Sequence, residues 1–507
     1  MPTPNMLSAK ACLDAFCPPF LQRLKARIEA SPLAYRLARG AFWSLAGSLI
    51  SRGMGLLAGV LVARLLGKHD YGQLGMVQST TGMFGIFAGF GMGLTANKHV
   101  AEFKNKDQAR AGRIICLSSL VSWTTGGLLT LVLLTFAPWL ARNTLGSPQM
   151  TGLLQAGAWL LLLGGVNGAQ TGALAGFEAF KTIARINLIA GLLAFPITLA
   201  GVWFGGVTGS VWALVVNLAL NCVMNFVALR KEAARAGVPL SYRHCTQEWP
   251  VLWSFSVPAV LGGAIAAPVT WAASAWLVNQ ADGYAQMGIF NAIYRIRIIP
   301  EMMLNMLLAP LLPVLSETFG LGNMQGYRKA VRSALAISLM VTVPFALLQI
   351  AVPSLTLLPY GHAYAGHAAV VQWSMFDLAV MGLFNPLMNQ IIVSMNRMWL
   401  GFAYSAGFSI IYGALAYVFV LRYGAAGLAA AGILAHVICL GPYLFYIYRS
   451  RMMCASGLPM NQLSLALCAA AALAYAASRS SNQPLAGGLA VVLISAFVYF
   501  QAKILLR

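Results

Sequence analysis

A succession of apolar segments, each about 20 residues long, constrains this chain more than any other feature. Such a segment is long enough to cross about 30 Å of hydrocarbon as a helix. Hydrophobic residues make up 59% of the 507 residues and charged residues only 9%, and the mean hydropathy is +0.74. These values lie outside the range of soluble globular proteins. The sequence therefore predicts an all-α polytopic membrane protein.

About fourteen transmembrane helices are expected from the length and spacing of these segments. Helices are favoured over a barrel because the chain lacks the ten-residue alternating strands of barrels. No loop between the segments is long enough to form a soluble domain. The predicted spans cover residues 40–66, 74–97, 114–136, 153–176, 186–204, 207–229, 251–278, 286–313, 333–355, 368–394, 399–421, 424–448, 463–478 and 485–501.

Two short segments recur along the chain and indicate an internal duplication. Residues 70–76 (DYGQLGM) return, with one residue inserted, as 282–289 (DGYAQMGI), and 206–209 (GVTG) return as 424–427 (GAAG). In each pair the two copies are separated by roughly 215 residues, which predicts a parallel repeat of two six-helix lobes. Similar turn chemistry arising by chance is the alternative. Two-lobed membrane proteins are often transporters, because lobes that rock about a midplane site provide alternating access.

The repeat defines the expected organisation of the chain. Residues 1–39 form a basic leader, either a helix on the inner membrane surface or a disordered segment. The N-lobe with spans 1 to 6 covers 40–229, and a cytoplasmic linker covers 230–250. The C-lobe with spans 7 to 12 covers 251–448, and spans 13 and 14 lie in 449–507. We expect both copies of the DYGQLGM segment to form outer turns that flank an outward opening.

The basic residues predict the orientation, because Lys and Arg near span ends resist translocation. Most of the 33 basic residues fall in loops on the side of the N-terminus, so both termini are predicted to be cytoplasmic. The net charge is +21, and the basic residues are scattered over short loops. This distribution is better explained by orientation in the membrane and attraction to anionic lipid than by nucleic-acid binding. The cysteines show no disulfide or metal-binding spacing. The basic residues predicted outside are Arg64, Lys68, Arg142, Arg422 and Arg479.

Three arginines, Arg52, Arg295 and Arg297, lie inside predicted spans. Each costs at least about 2.5 to 3.5 kcal/mol at mid-bilayer, so such a residue normally faces a bundle interior or an aqueous cavity. At a rise of about 1.5 Å per residue, all three lie near the midplane. Arginine suits a pyrophosphate, since its planar fork gives bidentate charge-assisted bonds. The sequence predicts a cationic substrate site, with internal ion pairing as the alternative.

Polar neighbours extend this prediction along span 8. Arg297, Glu301 and Asn305 fall on one side of the helical wheel, and Arg297 and Glu301 can pair at spacing four. Asp377, in span 10, could balance an arginine or carry a coupling proton. No catalytic residues, metal ligands or cofactor motifs are predicted. The predicted substrate-binding residues are Arg52, Arg295, Arg297 and Asn305, with Glu301 and Asp377 as coupling or ion-pair residues.

Amide side chains follow one face of span 6 at spacing four: Asn217, Asn221 and Asn225. Asn167 and Gln170 mark span 4. Amides can bind sugar hydroxyls, but we expect these to form hydrogen bonds between helices.

Four further motifs carry a resemblance to a known family. Residues 63–72 (ARLLGKHDYG) are similar to the pattern a-r-l-l-G-p-x-x-Y-G, 91–94 (GMGL) and 172–177 (GALAGF) resemble two helix ends, and 359–365 (PYGHAYA) resembles f-G-x-x-Y-a. In this order and spacing, the chain resembles the multidrug/oligosaccharidyl-lipid/polysaccharide (MOP) exporter superfamily, and within it the Wzx-type polysaccharide flippases, over residues 40–450. Lys68 and His69 depart from the family, which often has Pro followed by an acidic residue.

The resemblance implies a non-enzymatic carrier of the bacterial inner membrane, without cofactors. It would move undecaprenyl-pyrophosphate-linked oligosaccharide to the periplasmic leaflet for surface polysaccharide biosynthesis. Expected partners are membrane lipids and possible polymerases and glycosyltransferases, but not nucleic acid. A lipid II flippase, suggested by SRGMG at 51–55, and a cation-coupled multidrug exporter stay open. So does a glycan polymerase or transferase, which usually needs larger outer loops.

Overall fold

The computed structural model describes residues 32–250, 264–308, 311–385, 391–395 and 398–449, and this part of the chain is almost entirely helical. The predicted all-α class is confirmed. The helices are α1 (Pro32–Gly89), α2 (Met92–Phe103), α3 (Gln108–Trp139), α4 (Met150–Gly176), α5 (Phe180–Arg235), α6 (Ala266–Val278), α7 (Gly283–Leu308), α8 (Leu311–Gly320), α9 (Met324–Ala351), α10 (Ser354–Leu357), α11 (Ala368–Asn385), α12 (Ile392–Ser394) and α13 (Met398–Arg449).

Three of these helices are too long for one membrane crossing. Helices α1, α5 and α13 contain 58, 56 and 52 residues, whereas about 20 residues cross the hydrocarbon core. Each is broken at a glycine with non-helical backbone angles, namely Gly67, Gly206 or Gly424. The angles at Gly206 and Gly424 are the same, φ 55° and ψ −132°. The arms on either side lie where spans 1 and 2, 5 and 6, and 11 and 12 are predicted.

Within the described ranges, five helices are long and apolar enough to cross a membrane, or six if α7 and α8, bent by 40°, form one span. The protein is thus a multi-pass helical membrane protein. The single span predicted at 286–313 is divided between α7 and α8. Helix α1 begins at Pro32, inside the predicted leader. Most of that leader, the predicted spans 13 and 14 and the first part of span 7 lie outside the described residues.

The loops gather at two opposite ends of the molecule. At one end, Asn279 donates from its amide to the Thr144 carbonyl at 2.7 Å. At the other, Lys104 pairs with Glu178 at 2.9 Å, and Glu248 of the linker lies 3.0 Å from an arginine of α3. Following the predicted topology, we call them the outer end (64–72, 140–149, 279–288 and 352–367) and the inner end (104–108, 176–180 and 236–250).

The amide stripe of span 6 holds helices together. Asn225 is buried, and its amide donates to the side-chain oxygens of Asn167 at 2.8 Å and Asn221 at 2.7 Å. Asn217 donates to Thr198 on the other arm of α5 at 3.2 Å. These bonds join α4 to α5 and the two arms of α5, so the expected role in helix packing is confirmed.

Candidate functional site

The two halves of the chain meet at the outer end along a seam formed by α1 and α7. A Cβ on Gly72 would overlap the carbonyl oxygen of Tyr284, and one on Gly288 would overlap that of Lys68. Only glycine allows backbones to approach this closely. Both glycines belong to the repeated segments, 70–76 and 282–289. Instead of flanking an outward opening, as expected, the two copies pack against each other in this structure.

Hydrogen bonds and apolar packing hold the seam closed. The Tyr364 hydroxyl donates to the Ala63 carbonyl at 3.0 Å, and the Tyr284 hydroxyl donates to the Leu145 carbonyl at 3.0 Å. Buried side chains from both halves form one hydrophobic cluster there. The outer ends of the halves are therefore in contact.

Arg295 lies at the base of this seam, near the middle of α7. Its Nη1 donates to the Gly55 carbonyl of α1 at 3.2 Å. A Cβ on Gly59 would overlap the same guanidinium group, so this glycine provides the space in which the side chain lies. Tyr71 is close enough to interact with Arg295. The half-buried Arg295 thus connects the two halves at mid-depth.

Arg52 lies one turn further toward the inner end of α1. Its side chain is exposed, and at about 1.5 Å per residue it stands only about 4.5 Å along the axis from Gly55. Because Gly55 accepts the hydrogen bond from Arg295, the structure brings these two predicted site residues to neighbouring turns. Their charges lie below the closed part of the seam.

Arg297 is held inside the second half. Its side chain is 5% exposed, and its Nη1 lies 2.9 Å from Asp377 Oδ2 on α11. The predicted partner, Glu301, is further away, with 3.6 Å between Nη2 and Oε1. Breaking a buried pair by removing one partner leaves an uncompensated charge and is strongly destabilising. The described geometry thus places Arg297, Glu301 and Asp377 in one ion-pair network.

His436 of α13 joins the same network and was missed in the sequence. Its Nδ1 lies 3.4 Å from Asp377 Oδ1 and 2.8 Å from the Gly432 carbonyl oxygen. A Cβ on Gly432 would lie 3.2 Å from Asp377 Oδ1, so a glycine at this position leaves room for the carboxylate. A single histidine in an apolar segment gives little signal. The spacing of four between Gly432 and His436 was the one sequence signal that could have indicated a close contact at this histidine.

Asn305 is not brought to the arginines. It is exposed on α7, and the axial rise places it about 12 Å from Arg297 toward the inner end. Tyr294 is also exposed, whereas Glu301 is half-buried. Glu301 therefore forms the more accessible edge of the buried network. Within the described residues, no group of three or more His, Cys, Asp or Glu could hold a metal ion.

Comparisons with known proteins indicate the family and the fold of this chain. A family described as polysaccharide biosynthesis protein matches residues 37–319. The EPS I polysaccharide export inner membrane protein EpsE of Ralstonia nicotianae is 26% identical over 403 residues, which cover 76% of this chain and 88% of that protein. The lipid III flippase of Escherichia coli strain K12 is 26% identical over 212 residues, 41% of this chain and 49% of the flippase.

Solved structures share the fold, among them a flippase and a transporter. The lipid II flippase MurJ, in an inward closed conformation, has a TM-score of 0.68 at 14% identity over 92% of this chain and 99% of its own. An inward-facing multidrug resistance MATE family transporter of the MOP superfamily has a TM-score of 0.67 at 14% identity over 83% of this chain and 99% of its own. The resemblance read from the motifs is confirmed. Since the family match covers more than half of the chain, the protein belongs to the polysaccharide biosynthesis protein family, with the fold of MOP-superfamily transporters.

Proposed function

We propose that the protein is a flippase of the bacterial inner membrane. It moves undecaprenyl-pyrophosphate-linked oligosaccharide from the cytoplasmic to the periplasmic leaflet for surface polysaccharide biosynthesis. The observation that carries the proposal is the exposed Arg52 beside the point where Arg295 crosses between the halves. The relatives named for polysaccharide export and lipid III flipping support the substrate class.

The proposed contacts follow from the charge of the substrate. A pyrophosphate offers several anionic oxygens, and arginine binds them by charge-assisted hydrogen bonds at any working pH. Arg52 and Arg295 hold the pyrophosphate, the sugars lie along the exposed face of α7 near Asn305, and the polyprenyl tail stays in lipid. The hydrogen bond from Arg295 to Gly55 is the contact that the substrate replaces.

Arg297 has a different place in the proposal. Its bond to Asp377 is short and buried, whereas its contact with Glu301 is longer. A phosphate oxygen entering from the open face of α7 can replace Glu301 without breaking the pair with Asp377. Glu301 is the first candidate for coupling to an ion, since its carboxylate loses its charged partner when the phosphate binds. Asp377 is the second candidate, since its carboxylate is paired with the same guanidinium group.

Alternating access fits the geometry of the outer end. The repeated segments close this end, and Arg295 lies at the base of the contact. Opening the seam would separate α1 from α7 and thereby break the Arg295 bond to Gly55. The matching breaks at Gly206 and Gly424 support two lobes related by a parallel repeat. With the predicted fourteen spans, both termini are cytoplasmic.

Substitution of the arginines tests the cationic site. We expect Arg52→Gln and Arg295→Gln each to lower surface polysaccharide about tenfold or more, as losing one charged hydrogen bond costs roughly 1.5 to 3 kcal/mol. The triple variant with Arg297→Gln should be inactive. Surface polysaccharide is measured at matched expression. Arg422→Gln, an exposed arginine on α13, is the control.

Three outcomes separate the proposed function from its alternatives. Full activity in the triple variant would refute the cationic site. Loss of drug resistance with normal polysaccharide would indicate a multidrug exporter instead. Rescue of a strain lacking its lipid II flippase would indicate that substrate.

A further inference from the structure

A cavity lies at the outer end, apart from Arg52, Arg295 and Arg297. It has a volume of about 450 Å³ and lies between Arg64 of α1 and the loop at 352–367. Binding pockets for small molecules commonly have volumes of about 300 to 1,000 Å³. Arg64 comes from the first half of the chain and the remaining lining residues from the second, so the cavity has its full lining only while the outer ends are in contact.

The wall of the cavity is fixed by buried tyrosines. Tyr364 is fully buried and donates to the Ala63 carbonyl at 3.0 Å, and Tyr360 donates to the Ala292 carbonyl at 2.9 Å. Gly361, between them, has a φ of 92°, a conformation that residues with a side chain rarely adopt. The loop is therefore shaped before any ligand arrives.

The cavity is suited to an anion. The Arg64 side chain is exposed, and one of its N–H groups donates to the Leu358 carbonyl at 3.3 Å. A guanidinium group has five N–H donors, so others can serve a ligand. His362 adds a second basic side chain, and Ala368 is the first residue of the 18-residue helix α11. A helix N-terminus carries partial positive charge, and none of the lining residues described is acidic.

The other side of the cavity is apolar. Pro353, Leu357 and Leu358 line it, and Leu358 is 74% exposed. Arg64 lies three residues before the break at Gly67, where the chain turns at the outer end. In the predicted topology, this end of the span lies at the depth of the lipid headgroups, where phosphate and hydrocarbon are adjacent.

We propose that this cavity binds the phosphate of a lipid in the outer leaflet, with the acyl or prenyl chain along the exposed Leu358. A lipid held by Arg64 on one half and by the 352–367 loop on the other joins the two halves. A ligand that binds one conformation better shifts the population toward it. The bound lipid therefore stabilises the closed outer end and regulates the conformational cycle, whatever the transported substrate is.

Lipid binding to the purified full-length protein tests the site. Phosphatidylglycerol, undecaprenyl diphosphate and phosphate-free diacylglycerol are titrated while bound lipid is counted by native mass spectrometry. We expect Arg64→Gln to weaken binding of the phosphate lipids about tenfold, the loss of one charged hydrogen bond, and Arg64→Lys to retain part of it. Arg142→Gln, an exposed arginine at the same end, should bind as the wild type. Preference for phosphatidylglycerol or for undecaprenyl diphosphate identifies the lipid that supplies the phosphate.

A second readout follows the conformation and does not depend on flipping. Lys68 and Asp282 lie 3.8 Å apart across the seam, so cysteines at these positions report its closure through a short bifunctional thiol reagent. Phosphate lipid should accelerate this cross-linking, and Arg64→Gln should abolish the acceleration. Equal binding by Arg64→Gln and the wild type, equal effects of diacylglycerol, or cross-linking that ignores lipid would overturn the proposal.

Discussion

At the residue scale, Arg297 forms a buried ion pair with Asp377. Its guanidinium group is 5% exposed and lies 2.9 Å from Asp377, while His436 lies on the other oxygen of that carboxylate at 3.4 Å. These residues come from α7, α11 and α13. The pair between Arg297 and Asp377 therefore fixes how α7 packs against α11, since separation leaves a buried charge without its partner. His436 adds a contact from α13 to the same carboxylate.

Removing one partner should reveal this constraint. We expect Asp377→Asn to destabilise the protein by about 3 to 5 kcal/mol, because Arg297 then stays buried without its nearest carboxylate. Glu301→Gln is the matched comparison and should cost less than about 1 kcal/mol, since its contact is long and its side chain is 27% exposed. Unfolding of the purified variants measures both. Equal losses of stability in the two variants would contradict the conclusion that Asp377, rather than Glu301, is the main partner of Arg297.

A glycine pair on α1 tests the position of Arg295. Gly59→Ala places a methyl group against the guanidinium group, whereas Gly55→Ala meets nothing within 4 Å. We expect Gly59→Ala to displace Arg295 and reduce polysaccharide export about tenfold, the cost of one charged hydrogen bond. Gly55→Ala should have little effect. Export at matched expression is measured, and equal effects of the two variants would show that Arg295 does not lie there.

The sequence predicted the buried charges but only part of their pairing. Spacing four identifies Glu301 as a neighbour of Arg297 on one helix. Asp377 was expected to balance an arginine or to carry a coupling proton. That its partner is Arg297, and that His436 joins it, follows from helix packing, which periodicity along a single helix does not report. Arg52 was predicted to be a site residue from its depth in the membrane alone. A charge near mid-bilayer is costly wherever its helix packs.

At the scale of helices, glycine breaks decide where long helical runs become separate arms. Gly206 and Gly424 have the same backbone angles, φ 55° and ψ −132°, which only glycine adopts without strain. The sequence predicted these turns from the repeated GxxG pattern. It did not predict that the other repeated segments pack against each other, because a repeat shows that two segments are equivalent but not where they lie.

Neighbouring glycines provide a matched test of the break. Gly206→Ala should destabilise the protein by about 1 to 3 kcal/mol, since alanine is strained at this backbone conformation. Gly205→Ala meets nothing within 4 Å and should be neutral or slightly stabilising, because alanine favours helices over glycine. Thermal unfolding compares the two. A Gly206→Ala variant as stable as Gly205→Ala would argue against the break.

On the scale of the whole molecule, the outer end is closed above the two central arginines. The seam between α1 and α7 reaches down to Arg295, and Arg52 lies exposed one turn below. In the proposed cycle, lipid-linked oligosaccharide binds these charges from the cytoplasmic side. The seam then opens and releases it to the periplasmic leaflet. Closing and substrate binding compete for Arg295, which links the two steps.

Leaflet exchange in reconstituted vesicles tests this account most directly. Undecaprenyl-pyrophosphate-linked oligosaccharide is placed in one leaflet, and its arrival in the other is followed for the wild type, Arg52→Gln with Arg295→Gln, and Arg422→Gln. The account predicts exchange by the wild type and by Arg422→Gln, and a loss of at least about tenfold in the double variant. Exchange by the double variant at the wild-type rate, or none by the wild type, would contradict it.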